Sequence, residues 1–302
     1  MKLIKKHIIK RKAFMLLGLL VALPVLGGAQ NGQLSALIQQ ARDAGIEQSR
    51  ISDLQNRAEV RGISDEDLMA IIRPAVEMAE KNLPHEMIFE KAFEGISKNI
   101  PVQRIEPVLQ GIMQSSERAA GYVDQWVTRP EVGNMLQRSG ERMDQQRFRN
   151  EMVRAGSKTL SRDFDGDTFS ETLSALADEG ILDRARPSGI LAAVNVLSDL
   201  PSAAQEPAKT ARIILNALEG GFDAADLQKL PGAMNMAQRR SQLPAAAVAD
   251  GLSRQLQGGF PASQILQNLF NGEVGGPPGN VPAGIDRERP GRGQQGGPPG
   301  GI

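Results

Sequence analysis

The chain has 302 residues, with 35 basic and 35 acidic side chains, two histidines and no cysteine. Without cysteine it has no disulfide, no thiolate metal site and no lipid on a cysteine, which excludes an envelope lipoprotein. Zinc sites and nucleophile systems that pair serine or cysteine with histidine are excluded by the shortage of histidine and cysteine.

The first 29 residues are predicted to be a secretory signal peptide. Six lysines and arginines precede an apolar run from Ala13 to Leu26, which is shorter than the roughly 20 residues of a membrane-spanning helix. Small residues follow at Gly27, Gly28 and Ala29. We therefore expect cleavage after Ala29 and a periplasmic or secreted protein, with an uncleaved membrane anchor as the alternative.

Cleavage would leave 29 basic residues against 35 acidic ones. Net negative charge opposes non-specific attraction to nucleic acid or to anionic lipid. We expect no nucleic-acid partner and no stable membrane insertion after the signal peptide is removed.

A short motif occurs seven times and predicts the junctions between successive helices. It consists of a small or amide residue, a large apolar residue directly after it, and a second apolar residue five positions further on. The first residue suits the left-handed backbone that closes a helix, and the apolar pair has the spacing of a hydrophobic staple. The copies of this junction motif are Gly45-Ile46 with Ile51, Gly62-Ile63 with Leu68, Asn82-Leu83 with Ile88, Asn99-Ile100 with Ile105, Gly221-Phe222 with Leu227, Gln242-Leu243 with Val248, and Gly259-Phe260 with Ile265.

Apolar residues recur three and four positions apart between the junction motifs, which predicts amphipathic helices and an all-α fold. One such stripe is Leu68, Ile71, Ile72, Ala75, Val76 and Ala79. Neighbouring motifs are 17 to 21 residues apart, so a pair of short helices would repeat every 37 or 38 residues. This period predicts stacked helical hairpins in an α-solenoid-like architecture.

The expected helix starts have the side chains that stabilise a first turn. Ser64 and Asp223 are predicted N-caps, each with an acid three positions later. Prolines at four further starts are expected in the first helical turn, where proline is tolerated. They are Pro84, Pro101, Pro244 and Pro261.

Helical repeats are predicted in two regions, 30–114 and 169–271, separated by a polar helical spacer at 115–168. The spacer lacks the junction motif and holds a charge-dense run from Arg138 to Arg154. Its apolar residues still fall on two helix faces, and a variant repeat is the alternative interpretation. The faces are Val132, Met135 and Leu136, and Phe148, Met152 and Val153.

The segment 272–302 is predicted to be a disordered tail. Glycine, proline, glutamine and arginine dominate it, and Gly-Gly-Pro-Pro-Gly occurs twice. Such a segment buries too little apolar surface to offset the entropy of ordering it.

Asp163, Asp165 and Asp167 are the candidate metal ligands, because alternating carboxylates on a short loop suit calcium. The loop departs from an EF-hand, which needs glycine where this chain has Thr168 and glutamate where it has Ser174. Turn formation and helix capping explain the same residues without a metal.

No catalytic residue is assigned. Two carboxylates suffice for glycan cleavage, but the acids that lie three or four positions apart are typical of a solvated helix face with lysines beside them. Those acids are Glu77, Glu80, Glu90 and Glu94, and the lysines are Lys81, Lys91 and Lys98.

The stretch from Gly95 to Ile105, which reads GISKNIPVQRI, is similar to a recurring motif of uncharacterised exported bacterial helical-repeat proteins. The resemblance covers about one repeat and implies export and helical repeats, with no activity attached. We therefore expect a non-catalytic protein that offers a surface to a protein or peptide partner in the cell envelope, without a cofactor. An envelope glycan hydrolase with two carboxylates and a calcium-dependent structural protein are the alternatives.

Overall fold

The computed structural model describes residues 26–162, 164–178, 180–201 and 206–274, with side chains from residue 32 onward. These residues form thirteen α-helices and a short 3-10 helix, Ile181–Asp183, and contain no β-strand. The predicted all-α fold is confirmed. Residues 1–25 and 275–302 lie outside the described residues, so most of the predicted signal peptide and most of the predicted tail remain predictions.

The helices run from 10 to 26 residues, apart from one of nine. In chain order they are α1 Leu26–Asp43, α2 Gln48–Arg61, α3 Asp65–Glu80, α4 Glu86–Ser97, α5 Val102–Val127, α6 Pro130–Arg138, α7 Gln145–Leu160, α8 Gly166–Asp178, α9 Pro187–Leu197, α10 Pro207–Glu219, α11 Ala224–Ser241, α12 Ala245–Gln257 and α13 Ala262–Asn271. The predicted boundary at residues 114 and 115 lies inside α5.

All seven junction motifs end a helix with a left-handed residue. The first residue of each copy has a positive φ, including the non-glycine residues Asn82, Asn99 and Gln242 with values from 53° to 59°. In six copies the next amide donates to the carbonyl five residues earlier, as Leu83 N does to Met78 O at 2.8 Å. This is the bond of a Schellman motif, which satisfies carbonyls that the helix end leaves free.

The second apolar residue of every junction motif is buried at the start of the next helix. The first apolar residue is buried or half-buried in six copies. Ile100 is the exception, since 37% of its surface is exposed. The predicted apolar stripe of α3 and the faces of α6 and α7 are buried as well, except for the half-buried Leu136.

The capping hydrogen bonds predicted at two helix starts are present in the structure. Ser64 Oγ accepts from Asp67 N at 3.2 Å, and Asp223 Oδ1 accepts from Asp226 N at 2.9 Å. The prolines lie one or two residues earlier than expected: Pro101, Pro244 and Pro261 are N-caps, and Pro84 precedes the N-cap His85. An N-cap needs no amide donor, so proline fits there as well as inside the first turn.

Each odd-numbered helix packs on the next odd-numbered helix, from α1 to α13, while α2 packs on α4 and α10 packs on both α8 and α12. α3 and α5 run parallel, because contacts join Asp67 to Gln103 near their starts and Lys81 to Glu117 further along. Their first residues are 37 positions apart, as the junction motifs predict.

The central pair α5 and α7 runs antiparallel. Trp126, near the end of α5, packs on Phe148 near the start of α7, with ring centroids 6.1 Å apart. Ser115 Oγ, at the middle of α5, lies 2.8 Å from Ser157 Oγ near the end of α7. The chain direction of the odd-numbered helices therefore reverses between α5 and α7.

The first three residues of the predicted tail are described, and they pack against α12. Gly272 closes α13 with a φ of 83°, and Val274 is buried against Gly251, where a Cβ atom would collide with the Val274 carbonyl. Gln255 Nε2 donates to Glu273 O at 3.3 Å. The folded part of the chain thus continues to Val274.

Two truncations test where folding stops. A chain ending at Val274 should keep the melting temperature of the full chain, because the contacts described above remain. A chain ending at Asn271 loses the buried valine and should lose about 2 kcal/mol of unfolding free energy. Thermal and urea unfolding followed by circular dichroism measure both. Equal stability of the two truncations would contradict the packing of Val274.

Candidate functional site

A concave site lies between α4 and α7. Residues that share one face of α7, at positions 147, 150, 151, 154 and 158, oppose α4 across it. The start of α7 is fixed by Asp144, whose Oδ1 accepts from Arg147 N at 2.7 Å. We call this site the α4–α7 groove.

The first part of the α4–α7 groove has a volume of about 480 Å³ and charged walls. Three glutamates and three arginines line it, together with smaller polar side chains. The glutamates are Glu86, Glu90 and Glu151, and the arginines are Arg50, Arg147 and Arg154. Such walls offer hydrogen bonds and charge pairs to a polar chain rather than an apolar pocket to a small molecule.

The second part has a volume of about 300 Å³ and adds apolar contact surface from Met87 and Ile112. It shares Glu90 and Arg154 with the first part. The two parts are therefore adjacent, and Glu90 and Arg154 lie at the boundary between a charged part and a part of mixed character.

An ion pair spans the groove where its two parts meet. Arg154 Nη2 donates to Glu90 Oε2, joining α7 to α4. This hydrogen bond raises the pKa of Arg154, and the nearby carboxylates of Glu151 and Glu86 act in the same direction. Arg154 is thus a guanidinium held by α4, and a ligand that occupies both parts of the groove must contact or displace this pair.

Beyond Arg154, the groove ends in a second set of polar contacts. Lys158 Nζ donates to Asp199 Oδ2 at 2.5 Å and to the carbonyl of Asn195 at 3.2 Å. Asn195 also lines the groove. These bonds attach α7 to the end of α9 beside the groove.

The predicted pairing of acids with neighbouring lysines is found at Glu94. Its carboxylate accepts from Lys91 at 2.7 Å and from Lys98 at 2.5 Å, which lowers its pKa from 4.5 to about 2. A depressed pKa means that these contacts favour the fold above about pH 4.5 and are lost as the pH falls through 2. Glu90 instead pairs with Arg154, which is 64 residues away, so local spacing could not have identified its partner.

The structure gives a different result for each of the three predicted calcium ligands. Asp163 lies outside the described residues. Asp165 Oδ1 accepts from Thr168 N at 2.7 Å, which caps α8 and lowers the pKa of Asp165. Asp167 lies in the first turn of α8. Within the described part of the chain no three histidines or acids are grouped for metal binding, and calcium binding stays a prediction.

The pKa shifts of the carboxyl groups also bear on glycan hydrolysis, the alternative function predicted from the sequence. A general acid for that reaction needs a raised pKa, whereas the shifts at Glu94 and Asp165 are downward. His85 Nε2 lies 3.7 Å from Glu86 Oε1 at the start of α4, beside the groove.

The chain matches no family model, no curated protein and no solved structure. No helix among the described residues is long and apolar enough to span a membrane. The function proposed below therefore rests on the fold and on the geometry of the α4–α7 groove.

Proposed function

We propose that this is a non-catalytic, exported helical-repeat protein that binds an extended segment of a partner protein in the α4–α7 groove. The observation that carries the proposal is the adjacency of two concave sites along α4 and α7, which meet at Glu90 and Arg154. A groove lined by both acids and arginines can pair with backbone and side-chain groups of a peptide.

The architecture supports the same proposal. We infer that the helix pairs stack as an α-solenoid, since odd-numbered helices pack in sequence along the chain and several pairs begin 37 or 38 residues apart. Stacked helix pairs form extended surfaces that bind protein segments. The antiparallel contact of α5 with α7 joins the two halves next to the groove.

The proposed export rests on the basic, apolar N-terminal segment. In the cell envelope, the partner would be a protein or peptide with both charged and apolar side chains, matching the change of character along the groove.

Peptide selection on the mature chain, followed by fluorescence anisotropy, tests the proposal. Peptides selected from a random library should bind the Arg154→Ala variant at least about tenfold more weakly, because a charge-assisted hydrogen bond contributes about 1.5–3 kcal/mol. Arg129→Ala is a matched control: Arg129 pairs with Asp178 at 2.6 Å, and its side chain is 36% exposed against 37% for Arg154.

The control variant should bind the selected peptides like the unmodified chain. The proposal would be contradicted by peptides that bind both variants equally, or by failure of the library to yield any binder. Because the chain has no cysteine, the Asn150→Cys variant can carry a photo-crosslinker at one position, and crosslinked peptide would place the ligand in the groove.

A further inference from the structure

A second surface combines exposed aliphatic side chains with basic ones. It is formed by the last turns of α2 and α4 and the first turns of α5, and we call it the basic edge. Of the four large apolar side chains that are exposed in the described part of the chain, three lie here: Val60 at 83%, Ile100 at 37% and Val108 at 45%. Ile100 is the junction-motif residue that fails to pack.

The three helix ends are held together by close contacts. The Arg57 guanidinium lies 4.7 Å from the ring centre of Phe93, which ties α2 to α4. Gly95 lets α4 approach α5, because a Cβ atom there would lie 2.7 Å from Ile105 Cδ1. The residues of the basic edge therefore lie on three helices that pack on one another in sequence, α2 on α4 and α4 on α5.

The charge of the basic edge is opposite in sign to that of the predicted mature chain. The residues that line its two concave parts, together with Lys98, include five basic side chains and two acids, and two further acids, Glu59 and Glu106, are exposed nearby on α2 and α5. The basic residues are Arg57, Arg61, Lys91, Lys98 and Arg104, and the acids are Asp53 and Glu94. A local cluster of this kind attracts anions even when the whole chain is acidic.

The three arginines of the basic edge, Arg57, Arg61 and Arg104, have no ion-pair partner among the described residues, and Arg57 lies over the Phe93 ring. Arg104 also lies in the first turn of α5, where the helix dipole disfavours a positive charge. Its position therefore lowers rather than raises the stability of the helix. An external anion would supply the interaction that the fold does not provide.

We propose that the basic edge binds the surface of an anionic membrane, with arginines on lipid phosphates and the aliphatic side chains in the interfacial layer. Guanidinium groups bind phosphate in a bidentate way, and basic residues beside aliphatic ones are typical of surfaces that lie on membranes. Val60 is 83% exposed, so its side chain is free to enter the interfacial layer of a membrane. The predicted export would bring this surface to the membranes of the envelope.

Vesicle co-sedimentation of the mature chain tests this proposal. Vesicles with about a third phosphatidylglycerol should bind the chain, vesicles of phosphatidylcholine alone should not, and high salt should release it. Reversing two charges with Arg61→Glu and Arg104→Glu should weaken binding about tenfold or more. Ile100→Ser with Val108→Ser should weaken it as well, through the lost apolar contacts.

The matched control carries Arg73→Glu and Arg118→Glu, which change the net charge equally at positions of α3 and α5 outside the basic edge. It should keep vesicle binding, and circular dichroism should show that both double variants are folded. Equal loss in the two double variants would overturn the proposal. Absence of vesicle binding would overturn it as well. Binding of soluble polyglutamate without vesicle binding would indicate an acidic protein partner instead.

Discussion

Replacement of Phe148 by alanine should lower the free energy of unfolding by about 3–5 kcal/mol, the usual cost of removing a buried phenylalanine side chain. Phe148 is fully buried on α7 and packs on Trp126 of α5. Its loss opens a cavity where the two halves of the chain meet, and the antiparallel helices cannot close it without losing their other contacts.

Trp126 gives this prediction a local readout, because it is the only tryptophan in the chain and is 3% exposed. Its fluorescence should shift to longer wavelength in the folded Phe148→Ala variant as the cavity admits water, while far-ultraviolet circular dichroism measures the stability of all helices. Phe270→Ala is the matched control, since Phe270 on α13 is 38% exposed. It should cost less than about 1 kcal/mol. Similar costs for the two variants would contradict the burial of Phe148.

Local chemistry made the helix boundaries predictable. A residue such as Asn82 or Gln242 adopts the left-handed conformation because the chain must leave the helix there. The apolar residue that follows then packs on the helix that has just ended. Each junction motif depends on about ten consecutive residues, so sequence alone contains the required information. Ile100 departs because α4 and α5 leave it uncovered by any described helix.

The course of the chain through the centre could not be predicted in the same way. α6 has only nine residues and packs mainly on the short 3-10 helix that follows α8. Arg138 Nη2 donates to Leu182 O at 2.6 Å, and Glu141 accepts from Ser188 at the start of α9. These contacts join residues more than 40 positions apart, and no local pattern in the sequence marks them.

The candidate site could not be predicted from the sequence for a related reason. Glu90 belongs to a run of acids with lysines at helical spacing, and that spacing favours local pairing. In the structure, Glu90 faces Arg154 because α7 lies beside α4. The partner of a charged side chain is set by which helices become neighbours, and that depends on the reversal of direction between α5 and α7.

The reversal brings α7 close to its neighbours at Gly156. A Cβ atom on Gly156 would lie 2.8 Å from Phe169 Cζ and 3.2 Å from Ala119 Cβ. Phe169 is fully buried and packs edge-on against Tyr122 at 5.9 Å, so its ring has no room to retreat. A residue without a Cβ atom at this position therefore allows α5, α7 and α8 to meet.

Two identical substitutions in α5 and α7 should consequently have opposite effects. Gly111 lies on the exposed face of α5, where an added Cβ atom would meet no neighbouring side chain or helix within 4 Å, so Gly111→Ala should stabilise the chain by about 0.5–1 kcal/mol through helix propensity. Gly156→Ala gains the same propensity but overpacks the contact and should destabilise the chain by about 1–3 kcal/mol. Urea unfolding measures both variants. Stabilisation by Gly156→Ala would mean that α5, α7 and α8 do not approach each other closely, and the antiparallel arrangement that forms the α4–α7 groove would then be wrong.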